Sequence, residues 1–178
     1  RAASPQAQAI IAELRQQGVQ VQIPLADVTV PEELEQMLAE VDATMPPLAG
    51  VFHSVGVLRD GAVLNQTWER FEDVLAPKIS GAWHLHRLTA AYPLDLFVLF
   101  ASMAGVLGNR GQANHAAANA FLDQLAHHRR ALALPATSID WGAWAAIGEA
   151  EEQRARINDQ LTRVGIRWIE PNQGIAAL

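Results

Sequence analysis

The 178-residue sequence contains no cysteine, one lysine and one tyrosine. The absence of cysteine excludes disulfide bonds, thiolate metal sites and cysteine nucleophiles. Basic residues are also scarce, with 13 against 19 acidic ones, and the formal charge of −6 argues against nucleic-acid binding, which needs a basic surface. No apolar run approaches the roughly 20 residues of a membrane span, and no signal-peptide pattern opens the chain. We therefore expect no membrane span and, since nothing calls for secretion, a cytoplasmic protein.

The composition is typical of one globular domain. Hydrophobic residues make up 50% of the chain and charged residues 18%, which predicts a sizeable core and excludes a disordered, solvating tail. The chain opens on Arg1 rather than on methionine, so we expect it to be a piece of something longer.

Predicted helices alternate with short predicted strands along the chain. Apolar periodicity, N-caps and prolines predict helices over 5–17, 31–41, 67–91 and 112–130, the third with a kink at Pro77, and a charged helical segment from residue 148. Alternating or continuous apolar runs predict strands over 19–23, 48–53, 96–101 and 136–141, the second covered on both faces. This alternation predicts an α/β fold with a doubly wound parallel sheet.

Small and polar residues follow each predicted strand. In open parallel sheets, ligands bind outside the carboxyl ends of the strands. Four such ends in one chain therefore predict a site, at Asp27-Val28, at 53–56, at Ala101-Ser102 and at Asp140.

The glycines at 105, 108 and 111 lie between a strand and a helix, where backbone amides could hold a phosphate. Neither G-x-G-x-x-G nor G-x-x-x-x-G-K occurs in the chain, however. The favoured interpretation is a tight loop that needs positive φ angles.

Among the six histidines, His115 is the strongest candidate for chemistry. It lies on the first turn of a predicted helix, and Asn119, one turn later, shares its face. Ser102 ends the preceding buried strand, so the three side chains predict a site. His53 could be either a cofactor contact or a core residue. The others are expected at the surface or in packing: His84, His86, His127 and His128.

Two other kinds of site were weighed for these residues. A serine hydrolase would place its nucleophile in a G-x-S-x-G turn, which the neighbours of Ser102 do not form. A metal site built on His53 and His115 lacks a convincing third ligand, so no metal is predicted.

Four blocks of sequence, at 50–60, 75–86, 111–123 and 138–144, closely resemble the ketoreductase domain of modular polyketide synthases, a member of the short-chain dehydrogenase/reductase superfamily. The resemblance covers nearly the whole chain in the family's order and spacing. It implies a Rossmann-like doubly wound sheet and identifies residues 1–178 as most of one such domain. The family's first β-α-β unit, with its glycine-rich phosphate loop, is missing, which implies a sheet that is incomplete on its N-terminal side.

The resemblance implies NADPH-dependent reduction of a β-ketoacyl thioester to the β-hydroxyacyl thioester. The substrate would be held on the phosphopantetheine arm of an acyl carrier protein, with other domains of the same synthase as partners. In the family a serine polarises the ketone, a tyrosine donates the proton, a lysine lowers the pKa of that tyrosine and an asparagine holds a relay water. Ser102, Lys78 and Asn119 match three of these positions, and His115 stands where the tyrosine usually is.

This departure leaves two hypotheses open. In the first, His115 replaces tyrosine as the proton donor, since Tyr92, beside Pro93, cannot. In the second, the domain is retained as a catalytically impaired or inactive structural part of a synthase. General acid catalysis is typically worth about 10²–10⁴-fold, so its loss need not abolish turnover.

The resemblance also implies cofactor contacts and stereocontrol. The positions that match the adenine side of the cofactor and its ribose-nicotinamide side are Asp27, Val28, His53, Ser54, Val55 and Gly56. Asp60 matches the last residue of a Leu-Asp-Asp signature, and no tryptophan occurs over 106–114, a combination typical of the subtype that forms a D-configured hydroxyl. Without the phosphate loop, we expect these residues alone neither to bind NADPH tightly nor to reduce a ketone.

Overall fold

The structure, a computed structural model, describes residues 4–145 and 165–178. Its helices are α1 (Pro5–Gln16), α2 (Pro31–Thr44), α3 (Trp68–Leu75), α4 (Gly81–Thr89), α5 (Ala104–Leu107), α6 (Ala113–Ala131) and α7 (Pro171–Ala176). Its strands are β1 (Gly50–His53), β2 (Leu96–Ser102) and β3 (Thr137–Trp141). The helix predicted from residue 148 falls mostly outside the described residues.

The helix boundaries follow from local capping chemistry. The Ser4 hydroxyl accepts a hydrogen bond from the Ala7 amide at the start of α1, and Gly18, with a φ of +84°, follows its end. The Thr67 hydroxyl caps α3 in the same way, through the amide of Arg70. These features confirm the helix starts predicted from the sequence.

The long helix predicted over 67–91 is interrupted, as its proline indicated. Residues Ala76–Ser80 form a single π-helical turn that joins α3 to α4 and contains Pro77. Proline lacks the amide that would continue the α-helical hydrogen bonds, and such wider turns are common at functional positions. This turn carries Lys78.

The three described strands form one parallel sheet in the order β1-β2-β3. Val51 is paired with Phe97 across the first strand pair, and Leu99 with Ser138 across the second. One face of the sheet packs against α2, α4 and α6 and forms the core, whose buried members are Leu34, Ala82, Leu85, Leu94, Phe97, Leu99, Ala101, Leu122, Leu125 and Ala126. Parallel strands with crossover helices confirm the predicted α/β architecture.

One strand prediction was wrong, and another was wrong in part. Residues 19–23 form no strand, because no described strand runs beside them; instead the Arg15 guanidinium donates to the Val21 carbonyl. The strand predicted over 48–53 starts at Gly50, and its second face is not covered, since Phe52 is 56% exposed. Apolar patterning at these positions therefore reflects surface that the described residues leave open.

Candidate active site

Lys78 is buried at the π-helical turn, where only 7% of it is exposed. Its ammonium Nζ donates to the carbonyl oxygen of Phe100 on β2, at 2.9 Å. Burial lowers the pKa of Lys78 to about 8, so the group is cationic at neutral pH but titrates more easily than an exposed lysine. A Cβ atom placed on Gly56 would lie 3.1 Å from Lys78 Cε, so glycine allows the loop after β1 to pass over the lysine.

Ser102 ends β2, two residues after the carbonyl that binds Lys78, and therefore points to the same face of the sheet as Phe100. Its hydroxyl accepts a hydrogen bond from the amide of Ala104 at 3.2 Å. The turn that follows packs tightly on α6: a Cβ on Gly105 would lie 3.2 Å from that of Asn119. This close approach brings the end of β2 against the helix that carries the other candidate residues.

His115 occupies the first turn of α6 and is half-buried. Burial, followed by the positive charge of Lys78, lowers the pKa of His115 to about 4, while the charge of Asp60 acts in the opposite direction. The imidazole is therefore neutral at pH 7. Its Nδ1 is buried without a hydrogen-bond partner among the described residues, which leaves Nε2 as the nitrogen available to a substrate.

Asn119 is completely buried one helical turn after His115. Its Nδ2 donates to the His115 carbonyl at 2.7 Å, while its Oδ1 has no partner within the described part of the chain. A buried acceptor of this kind is usually satisfied by an ordered water or a ligand. The structure thus gathers four of the predicted site residues, from three different elements, at the carboxyl end of β2.

The loop after β1 borders this group of residues. His53 ends the strand and is buried, and the pKa of its imidazole is lowered to about 4, first by burial and then by the charge of Lys78. Ser54, Val55 and Gly56 follow it and are exposed. The loop is therefore exposed next to the buried ammonium of Lys78, and the cofactor contacts expected at these residues stay a prediction.

The structure places Asp27 and Val28 away from this loop, in a turn before α2. The Asp27 carboxylate accepts from the amide and the hydroxyl of Thr29, and the amide hydrogen bond is the main reason that the pKa of Asp27 is lowered. The carbonyl of Val28 lies 3.2 Å from Nδ1 of His84 on α4, and a Cβ on Gly81 would lie 2.7 Å from Val28 Cγ2. No described contact joins these two residues to Lys78 or His115.

Asp60 lies beyond the loop, next to the start of α6. Both of its carboxylate oxygens lie 3.0 Å from Nε2 of Gln112, which donates to them. The Asp60 charge is close enough to influence the pKa of His115. The structure therefore brings Asp60 to the edge of the candidate site.

Tyr92 and His86 have partners other than the candidate site residues. The hydroxyl of Tyr92 donates to the carboxylate of Asp42 at 2.6 Å, so the tyrosine links α2 to the segment that follows α4. His86 is buried against Arg129, with 3.0 Å between its Nδ1 and the guanidinium Nη1, which confirms its predicted packing role.

The alternative kinds of site gain no support from the geometry. No group of three or more ligating side chains capable of holding a metal occurs in the part of the chain that the structure describes.

Gly108 and Gly111 have φ angles of +72° and +81°, as a tight loop requires, whereas Gly105 lies within α5 and is needed for close packing instead. No helix among the described residues is long and apolar enough to cross a membrane.

Comparison with known proteins decides the family. The model of the KR domain family matches residues 1–146. The polyketide synthase GfsB of Streptomyces halstedii is 44% identical over 174 residues, and the mycoketide-CoA synthase of Mycobacterium tuberculosis is 46% identical over 141; these alignments cover 97% and 79% of this chain but only 3% of each relative. The chain belongs to the KR domain family, the ketoreductases of polyketide synthases.

Solved ketoreductases share the fold of the chain. A structure described as that of A-type ketoreductases from a modular polyketide synthase has a TM-score of 0.87 at 42% identity, covering 98% of this chain and 36% of the other. A ketoreductase domain from the bacillaene assembly line has a TM-score of 0.88 at 32% identity, covering 99% and 44%. The Rossmann-like fold expected from the resemblance is therefore confirmed, and the three-stranded sheet is a part of it.

One buried polar residue beside the candidate site was not predicted from the sequence. Asn114, immediately before His115, is completely buried and donates to the carbonyl of Arg59 at 3.0 Å. Its position one residue before the candidate acid was visible in the sequence. Its burial and its long-range partner were not, because they depend on how the segment around Arg59 folds back onto α6.

Proposed function

We propose that this chain contributes the catalytic part of a β-ketoacyl reductase that converts a β-ketoacyl thioester into the β-hydroxyacyl thioester. The convergence of Lys78, Ser102, His115 and Asn119 at one strand end carries the proposal. A ketone being reduced needs a hydrogen-bond donor at its oxygen and then a proton. These four residues provide both within one partly enclosed site.

Each residue has a distinct part in the proposed reaction. The Ser102 hydroxyl donates a hydrogen bond to the ketone oxygen and stabilises the negative charge that develops there. The Nε2–H of His115 transfers its proton to that oxygen, which becomes the hydroxyl of the product, and the ring regains a proton from solvent through the water described next. The unpaired Oδ1 of Asn119 accepts a hydrogen bond from a water that connects the site to solvent.

Lys78 explains how a neutral imidazole could act as an acid. Its ammonium disfavours the imidazolium form of His115, and the same positive charge favours loss of a proton from the neutral ring. Lys78 stands in this relation to His115 as the family's lysine stands to tyrosine. The pKa of about 8 keeps the lysine charged at neutral pH but predicts loss of this assistance in more alkaline solution.

We assign NADPH as the reductant, which when bound supplies a hydride to the ketone carbon. The residues suited to its nicotinamide-ribose end are His53, at the buried end of β1, and Ser54, Val55 and Gly56, which form the exposed loop over Lys78. Asp27 and Val28 are retained as contacts for the adenine end. The Asp27 amide donates to the Glu33 carboxylate on α2, and the Val28 carbonyl lies 3.2 Å from Nδ1 of His84 on α4, so both residues have a fixed backbone.

The assignment of residues 1–178 to most of one domain is supported by apolar surface that the described residues leave exposed to solvent. Phe52 on β1 is 56% exposed, and Ile23, in the apolar segment 19–23, is 47% exposed. A further β-α-β unit, with strands between this segment and β1, would pair the segment and cover the apolar surface. Residues 1–178 are therefore proposed to be most of one ketoreductase domain whose glycine-rich phosphate unit lies outside this sequence.

The larger protein to which this domain belongs, and its partners, are proposed from the relatives. They are long polyketide synthases, and this chain matches only 3% of the length of each of the two named above, so other synthase domains are the expected partners. We infer that the substrate arrives on the phosphopantetheine arm of an acyl carrier protein in the cytoplasm. The position of Asp60 beside Gln112 at the site's edge supports a role in orienting the substrate, with a D-configured hydroxyl as the product.

A structural role is the second candidate. It is favoured by one observation: the proton-donor position holds His115, whose pKa of about 4 leaves it uncharged and a weak acid. In that case the domain would hold its neighbours in place within the synthase without reducing substrate.

Product analysis distinguishes these functions. The complete domain, including the residues that precede Arg1 in its synthase, is incubated with NADPH and a small β-ketothioester, and the β-hydroxythioester is measured by mass spectrometry. We expect product from the parent, about 10²–10³-fold less from Ser102→Ala, since a donor to the developing oxyanion is lost, and the parental amount from Ser4→Ala. No product from the parent would contradict the reductase and support the structural role.

A further inference from the structure

Asn114 is a buried polar residue whose amide is fully engaged although it takes no part in the proposed reaction. Its exposure is 0%. The Nδ2 group donates to the carbonyls of Arg59 at 3.0 Å and Arg70 at 3.3 Å, and its Oδ1 accepts from the amide of His115 at 2.8 Å. Leaving any of these groups unpaired in the interior would be costly. One side chain therefore joins the loop before α3, the helix α3 and the start of α6.

On the α6 side, this amide fixes the backbone of His115. The first amides of a helix have no partner within the helix, and the one at His115 is satisfied by the side chain of Asn114. The carbonyl of His115 in turn accepts from Asn119. The candidate proton donor is thus held by side chains at both its amide and its carbonyl.

On the loop side, three consecutive carbonyls are bound by side chains. Besides the bonds from Asn114, the carbonyl of Asp60 accepts from the Arg70 guanidinium at 2.6 Å. The amide of Gln66 donates to the carbonyls of Arg59 at 3.0 Å and Gly61 at 3.3 Å. A segment without regular secondary structure is therefore fixed at every residue from Arg59 to Gly61.

The same segment carries the charge that opposes Lys78. The Gly61 amide donates to the Gly111 carbonyl at 2.8 Å, and the Asp60 carboxylate receives the Gln112 amide, so the loop is docked against the approach to α6. From this position the Asp60 charge raises the pKa of His115, against burial and the Lys78 ammonium, which lower it. The distance between the loop and the helix thus affects both the geometry and the proton affinity of the imidazole.

We propose that Asn114 is a positioning residue of the site: it docks the Arg59–Gly61 segment, and with it the Asp60 carboxylate, onto the helical turn that carries His115. This role rests on the proposed reductase function for its catalytic consequence. The docking itself does not depend on catalysis and is measurable without it.

The test compares Asn114→Ala with Asn114→Asp and with a control, Thr89→Val. The aspartate keeps an acceptor for the His115 amide but cannot donate to the Arg59 and Arg70 carbonyls. Thr89 is equally buried, and its hydroxyl donates to the Leu85 carbonyl on α4. Its replacement removes a buried hydrogen bond outside the site, so it separates positioning from a general loss of stability.

The first measurement is amide hydrogen exchange of the 178-residue chain. We expect exchange of the Gly61 amide, which donates to the Gly111 carbonyl, to accelerate roughly tenfold or more in both Asn114 variants and to stay at the parental rate in Thr89→Val. We also expect the pKa of His115, followed by NMR, to fall in Asn114→Ala as the Asp60 charge is released. Parental exchange in both Asn114 variants would overturn the proposal, whether or not the domain is a reductase.

The second measurement is the rate of reduction by the complete domain. We expect kcat to fall roughly 10- to 100-fold in Asn114→Ala, as misplaced catalytic groups usually cause, with a smaller change in KM and a parental kcat in Thr89→Val. Accelerated exchange with an unchanged kcat and an unchanged His115 pKa would show that the segment is held without positioning the site. An inactive parent would contradict the reductase function, while exchange and the His115 pKa would still decide the role of Asn114.

Discussion

The segment that precedes α2 and the segment that precedes α3 are both irregular, but they are held in different ways. Helix α1 buries none of its residues, and Leu25 in the stretch after it is 72% exposed. That stretch is held by exposed side chains, such as Gln22, whose amide donates to the Thr44 hydroxyl. By contrast, the Arg59–Gly61 segment is bound at consecutive carbonyls by residues that include the buried Asn114.

This difference separates two parts of the proposed function. The Arg59–Gly61 segment and the catalytic residues obtain their contacts from within residues 4–145. The stretch after α1 has its apolar side chains but no strand to pair with among the described residues. The residues proposed to reduce the ketone are thus organised by this chain itself, whereas tight cofactor binding is proposed to need a further unit.

The largest expected effect comes from supplying that unit. When the proposed β-α-β unit is supplied by fusing that unit from a related ketoreductase to the N-terminus of the chain, we expect NADPH to bind at least about 100-fold more tightly, since two or more charge-assisted hydrogen bonds to phosphate are gained. Isothermal titration measures the Kd. Amide hydrogen exchange of residues 19–23 should slow at the same time, because this stretch would then be held by hydrogen bonds, as the Arg59–Gly61 segment already is. Equally tight binding by the 178-residue chain would contradict this division.

Low pH should destabilise the folded protein, because two histidines of the candidate site must then be protonated. The folded-state pKa values of His53 and His115 are lowered to about 4 from the usual 6.5, so the unfolded state binds protons more readily between these values. Stability is therefore lost as the pH falls from about 6.5 towards 4, by about 3 kcal/mol for the fully buried His53. Urea unfolding at a series of pH values measures this loss. His53→Gln should flatten the pH dependence, whereas an unchanged slope would contradict the buried neutral imidazole.

The charge of Lys78 accounts for only part of these shifts. In Lys78→Met the pKa values of His53 and His115 should rise, because the repelling ammonium is gone, but should stay below 6.5, because burial is the larger cause. NMR titration of the histidine ring protons gives both values. Arg87→Met, on the exposed side of α4, serves as the matched control and should change neither. Unaltered values in Lys78→Met would show that the lysine does not influence the site.

The smallest expected effect is the difference in stability between variants of two helix caps. Thr67→Ala should cost about 1 kcal/mol of global stability, because α3 is packed into the fold through the buried Val74. Ser4→Ala removes a similar bond from α1, which buries nothing, and should loosen that helix without altering the main unfolding transition. Thermal unfolding followed by circular dichroism distinguishes the two. Equal shifts in Tm would mean that α1 is integrated as firmly as α3.

Features that depend on neighbouring residues could be predicted from the sequence, whereas features that depend on distant parts of the chain could not. The cap of α1, the start of α3 near Thr67 and the break at Pro77 depend on neighbouring residues and were predicted correctly. The strand over 19–23 was wrong because a strand needs a partner that the segment's own pattern cannot reveal. For the same reason Phe52 looked like a core residue but is exposed.

The candidate site shows the same limit. The spacing of Ser102, His115 and Asn119 and the resemblance placed them together, and the structure brings them to one strand end. The neutral state of His115 depends on burial and on Lys78, 37 positions earlier in the chain, which no local pattern specifies. The burial of Asn114 was not predicted, because it depends on hydrogen-bond partners from a distant part of the chain and not on its neighbours in sequence.

The most direct test of the central claim is the rate of NADPH consumption by the complete domain with a β-ketothioester, for the parent, His115→Ala and His115→Tyr. If the His115 imidazole donates the proton, the alanine variant should be about 10²–10⁴-fold slower than the parent. The tyrosine variant should be at least as fast as the parent, since a phenol beside Lys78 is the stronger acid. Equal rates for the parent and the alanine variant, or no consumption by any of the three, would contradict the account.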